Sequence, residues 1–128
     1  MAKQRPVSRP KNLNLLSIRL PINALVSILH RVSGFLLFLV LPLMLWCLQQ
    51  SLQSATGFEQ VRALLTHPLA KLMLLSLAWA FFHHFLAGLR HLAMDVHWGT
   101  KLTSARLSSK LVLACGLLLT LLLAAKIC

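Results

Sequence analysis

Acidic side chains are nearly absent from this chain: its 128 residues hold 2 Asp plus Glu against 13 Lys plus Arg, a formal net charge of +11. Charged residues of all kinds reach only 12%, against about a quarter in a typical soluble domain. Apolar residues supply 58%, mean hydropathy is +0.77, and the apolar residues gather into long runs. That pattern excludes a disordered chain and an ordinary soluble enzyme, and points to an integral membrane protein. Cysteine is scarce too. Cys47, Cys115 and Cys128 form no CxxC pair and sit within or at the ends of apolar runs. A secreted disulfide scaffold is therefore excluded, and the three read as small apolar residues. No internal repeat or low-complexity tract is present. The stretch from Met1 to Pro21 lacks the apolar core and small-residue cleavage site of a secretory signal and reads as a short cytoplasmic arm. A strongly basic chain first suggests nucleic acid. Here the basic residues flank apolar runs and no aromatic interleaves the first cluster, which is membrane topology, with lipid and not nucleic acid as the partner.

The expected fold is all-α: a 1–21 arm followed by a three-helix membrane domain over 22–128. The spans are predicted at about 22–48, 68–95 and 104–128, each long enough for the roughly 20 residues a bilayer requires. The first starts after Pro21 and carries Pro42, a residue placed to kink its outer half; the second follows Thr66-His67-Pro68. Lys3, Arg5, Arg9, Lys11 and Arg19 precede the first span, and Arg90, Lys101, Arg106 and Lys110 surround the second loop. Between spans one and two lie only Glu59 and Arg62. The N-terminus and second loop should be cytoplasmic, the first loop and C-terminus outside. Phe58, Val61 and Leu65 at helical spacing predict a short surface helix in the first loop. Trp46 and Trp98 fall near opposite interfaces, and Lys71 and Lys126 can snorkel at the outer one.

Ionisable groups inside spans are costly and demand a reason. Span one carries Ser27, His30, Arg31, Ser33 and Gly34; span two carries His83, His84, Gly88, Arg90, His91 and Asp95. His30 lies roughly 13 Å along the axis from Pro21, and His84 roughly 16 Å from Asp95. In antiparallel helices they share a level, so both helices can address one ligand. At about 100° per residue, His84, Gly88, His91 and Asp95 form one stripe. A glycine one turn from a histidine leaves room beside the imidazole for something flat and bulky. Haem fits, and neutral imidazole is a common axial ligand to its iron; packing is the competing role for His84. His83 lies off the stripe and reads as a packing or lipid-interface residue, and His67 and His97 as loop or interface residues. For His91 and Arg90, near the headgroups, a haem-propionate contact and snorkelling both remain open. Arg31 has no acid at its depth and needs a polar partner from elsewhere. With Ser27 one turn before it, it could polarise a quinone carbonyl.

At these residues the chain resembles the cytochrome b subunit of succinate dehydrogenase, the larger membrane anchor of complex II. The resemblance runs through R-P-K-N-L-N-L at Arg9–Leu15, S-I-L-H-R-V-S-G at Ser27–Gly34, G-F-E-Q at Gly57–Gln60 and H-F-L-A-G-L-R-H-L-A-M-D at His84–Asp95. It implies that His84 is this subunit's axial ligand to one haem b, shared with a second small anchor subunit that supplies the other histidine. It implies that Ser27 and Arg31 line a ubiquinone site completed by the other anchor and the iron–sulfur subunit. His30, Arg31 and His91 would lie in the haem-propionate region. Succinate would be oxidised on a flavoprotein subunit, so the chain alone would hold no catalytic residue. His83 replaces a residue often aromatic in relatives, and Asn14 stands where some carry an acid. The early start of the match leaves no room for a transit peptide, and the expected location is a bacterial inner membrane. The rival readings are an anchor of a quinol:fumarate reductase, a small proton or ion transporter without haem, and a purely structural subunit.

Overall fold

The computed structural model describes residues 19–127; most of the arm, with Asn14 and the Arg9–Leu15 stretch, and Cys128 lie outside the described residues. Four helices follow in order: α1 (Ile22–Gln53), α2 (Ala55–Thr66), α3 (Pro68–Asp95) and α4 (Leu102–Ile127). Three of them, α1, α3 and α4, are long and apolar enough to cross a membrane. α2 is the surface helix expected in the first loop, carrying Phe58, Val61 and Leu65 on a 12-residue segment. Its residues are mostly exposed.

Helix boundaries differ from the hydropathy boundaries in an informative way. α1 continues past Leu48 to Gln53, and α4 starts at Leu102. Hydropathy marks where hydrocarbon ends, whereas a helix keeps satisfying its own backbone into the headgroup region. α1 also runs through Pro42 without interruption. At its other end the chain breaks at Ser54 (φ −160°), whose hydroxyl accepts from the Gly57 N–H at 3.0 Å and caps α2. His67 has a definite role: its Nδ1 accepts from the Leu69 N–H at 3.2 Å, capping α3 with Pro68 in the first turn. The α3–α4 loop turns through two left-handed residues, His97 (φ 62°) and Gly99 (φ 73°).

The interior is narrow and lined with small side chains. Val26, Ala87 and Val112, one from each span, form its apolar centre. Along α4 the inward stripe is Ala105, Ser109, Val112, Gly116 and Thr120, a small-residue face that lets backbones approach closely in lipid. At Gly116 the approach is to α3 itself, where an added Cβ would lie 3.6 Å from the His83 backbone nitrogen. Nearly all the large hydrophobics point outward instead, Phe35, Phe38, Trp46, Phe81 and Phe85 among them. For a lipid-solvated bundle that is the expected distribution.

Candidate functional site

The two spans that carry the unusual residues meet through them. The His30 and His84 rings stack, with centroids 4.3 Å apart and planes 8° from parallel. The His91 ring lies 5.1 Å from His30 at a tilt of 50°. The level shared by His30 and His84 in the sequence is thus a contact, and α1 and α3 converge on one cluster of three imidazoles.

The glycines of the two motifs make this possible, though in a different manner from that expected. The room beside each histidine is taken by the imidazole from the opposite helix. A Cβ on Gly34 would come within 2.6 Å of His84 Cε1, and one on Gly88 within 3.6 Å of His30 Nε2. The pairing is reciprocal: a glycine on each helix receives the ring of the other. Gly34 is the tighter of the two, because 2.6 Å lies inside any real carbon–carbon contact.

Hydrogen bonding then defines the chemistry of His84. Its Nδ1 lies 3.0 Å from the His30 carbonyl oxygen. A carbonyl can only accept, so Nδ1 carries the proton and donates. In the neutral ring this leaves Nε2 with its lone pair. Ser33 supports the arrangement: its hydroxyl donates to the same carbonyl at 3.0 Å and stands 3.5 Å from His84 Nδ1. Metal-binding histidines are usually oriented in this way, with the second ring nitrogen donating to a carbonyl or carboxylate. His84 also lines an open apolar groove of about 690 Å³ together with Leu37, Phe38, Leu41, Phe81, Phe82 and Phe85. A flat, largely apolar macrocycle with an iron needing an axial nitrogen fits this donor and these walls.

The other sequence candidates separate clearly. Ser27 is half-buried on α1, and Arg31, one turn on, is exposed. Among the described residues neither side chain forms a hydrogen bond with another. His91 is half-buried and joins the imidazole cluster through His30. Asp95 ends α3 and is exposed.

His83 takes the packing role. It is fully buried, stacks on Trp79 (centroids 5.2 Å) and has neither ring nitrogen hydrogen-bonded.

Arg90 does something the sequence reading did not include. It is buried between α3 and α4, with Nε donating to the Ser108 hydroxyl at 3.0 Å and Nη2 reaching the Ala105 carbonyl at 3.4 Å. The structure thus gives Arg90 an interior role in this chain, where headgroup snorkelling and a propionate contact were the two expectations. Only the 83–87–90 spacing on α3, an inward stripe beside the 84–88–91 stripe, could have signalled it.

Comparison with known proteins agrees with these motifs. Residues 1–123 match the model of a family described as succinate dehydrogenase/fumarate reductase transmembrane subunit. The chain is 41% identical over 105 residues to the succinate dehydrogenase cytochrome b556 subunit of Coxiella burnetii, covering 79% of this chain and 82% of that one. It is 32% identical over 122 residues to the subunit of the same name from Paracoccus denitrificans, covering 95% and 94%. The Rickettsia felis subunit is 30% identical over 115 residues, covering 90% of each. With its three apolar spans and both histidine-bearing motifs in place, the chain belongs to the succinate dehydrogenase/fumarate reductase transmembrane subunit family.

Proposed function

We propose that this chain is the haem-bearing anchor of a succinate:ubiquinone oxidoreductase of a bacterial inner membrane. In this reading it docks a flavoprotein and an iron–sulfur subunit and pairs with a second small anchor. The observation that carries it is the His84 imidazole, whose Nδ1 proton is committed to the His30 carbonyl and whose Nε2 has no hydrogen-bond partner among the described residues. The cytochrome b name of the relatives supports the same cofactor. His84 would hold the iron of one haem b shared with the second anchor, and His30, Arg31 and His91 would lie toward its propionates. Bound haem supplies a one-electron carrier within the membrane.

This chain's contribution to quinone reduction rests on Ser27 and Arg31. Arg31 presents a permanent cation with several donors, and Ser27 a hydroxyl one turn away. Donated to a ubiquinone carbonyl, these groups hold the ring and stabilise the negative charge that builds on its oxygen as electrons arrive. At the membrane edge, where water is scarce, such an interaction is stronger than in bulk solvent.

Tagged chain purified from its own membranes should carry a flavoprotein, an iron–sulfur protein and a second small hydrophobic subunit. A reduced-minus-oxidised spectrum should show a b-type haem. A preparation with neither haem nor soluble partners would favour a transporter and defeat this reading.

The proposed orientation places the N-terminus and the α3–α4 loop in the cytoplasm and the C-terminus in the periplasm, as the basic flanks require. A single cysteine introduced at Thr100, with the native cysteines replaced, should react with an impermeant maleimide only from the cytoplasmic side. Periplasmic labelling would invert the topology.

A further inference from the structure

A chain of polar groups joins all three spans near the end of the bundle where α1 begins. Arg90 of α3 donates through Nε to Ser108 of α4, and Ser108 donates in turn to the Ala105 carbonyl at 3.1 Å. Ser109 lies 2.9 Å from that same carbonyl and 2.8 Å from the side-chain oxygen position of Asn23 in α1. The Ser109 hydroxyl has one proton and two acceptors in reach. Turning the Asn23 amide resolves this: Ser109 donates to Ala105, and the Asn23 NH2 donates to Ser109. Ser109 is fully buried and Arg90 is 8% exposed, so water does not compete. The Val26, Ala87 and Val112 cluster covers the network from the membrane interior.

None of these four side chains belongs to the site described above, but Asn23 stands one turn before Ser27 on the same face of α1. Pro21 precedes the first turn of α1, and its carbonyl accepts from the Ala24 N–H at 2.9 Å and the Leu25 N–H at 3.2 Å. Among the described residues no side chain caps that turn, so a side-chain tie to a neighbouring helix adds to its hold. Among the described residues, the Asn23–Ser109 bond is the only side-chain hydrogen bond between α1 and α4.

We infer that the Asn23–Ser109 bond, backed by Ser108 and Arg90, positions the start of α1 and thereby sets where Ser27 and Arg31 are presented to the quinone. The inference rests on the assignment of those two residues above. Asn23 and Ser109 act through α1 and are positioning residues. A low-dielectric network of this kind is rigid when every member is satisfied.

The test uses the assembled complex in membranes, with succinate-driven reduction of a short-chain ubiquinone measured beside reduction of an artificial dye. Ser109→Ala and Asn23→Ala should each raise KM for the quinone roughly two- to tenfold, the loss of one net hydrogen bond. Dye reduction and haem content should stay at the wild-type level. Ser109→Thr, which keeps the hydroxyl, should restore KM. The double variant should be no worse than either single one, because both remove the same bond.

Wild-type KM in both single variants, with Arg31→Leu impaired in the same assay, would overturn the positioning role alone. An unimpaired Arg31→Leu would instead remove the quinone assignment on which the inference stands. Failure of both alanine variants to assemble would make the network a folding element and overturn the inference as well.

Discussion

His84→Ala is expected to abolish or strongly weaken the b-type haem band of the purified complex, with the remaining signal shifted. The ring is doubly constrained: its Nδ1 proton goes to the His30 carbonyl, and its Cε1 edge seats against Gly34. Removing it takes away both the donor nitrogen and the oriented lone pair. Loss of an oriented ligand outweighs loss of its supporting contacts, which typically costs 10- to 100-fold in metal affinity. Gly34→Val is a second route to the same result. Its side chain would displace the His84 ring and break a hydrogen bond worth about 1 kcal/mol, so the band should weaken while His84 itself is unchanged. The measurement is a reduced-minus-oxidised spectrum of the wild type beside each variant. An unaltered band in His84→Ala would move the ligand to another histidine of the cluster.

Arg31→Leu should lower kcat/KM for ubiquinone reduction by roughly 10- to 100-fold, with reduction of an artificial dye by succinate largely intact. In the proposed quinone site Arg31→Leu would lose a charged hydrogen bond worth about 1.5–3 kcal/mol to the oxygen on which charge would develop. Arg31 is exposed from the bundle and touches no acid among the described residues. Its removal should therefore leave the fold of this chain undisturbed. In the proposed complex a dye would take electrons before they reach the membrane, so the two assays separate quinone binding from assembly. A wild-type quinone rate would exclude Arg31 from the site. The Lys substitution is informative beside it: a point charge keeps the attraction but loses the planar donor fork, so an intermediate rate is expected.

Much of the architecture was legible in the chain itself. Run length determined three spans, because hydrocarbon thickness and backbone satisfaction leave few alternatives, and the helical spacing of Phe58, Val61 and Leu65 gave the surface helix. The levels of His30 and His84, counted from Pro21 and Asp95, put both imidazoles at one depth, and the structure stacks them. The stripe 84–88–91 was readable from helical phase alone. Which neighbour each stripe would meet was a tertiary decision. In water an inward face is apolar and an outward face polar, so pattern reveals burial. In lipid both faces can be apolar, and that signal vanishes. His83 and His84 differ by one residue and one-third of a turn, yet His83 is sealed in the core and His84 faces the groove. Arg90 looked like a headgroup residue by depth and became a buried tie to Ser108 because α4 passes beside it. The glycines were legible as spaces, but only packing showed that Gly34 and Gly88 each receive the opposite helix's imidazole. Sequence set the depth and phase of every functional group; the crossing of the three helices chose its partner, since nothing along one chain encodes the distance between two helices until their side chains interlock.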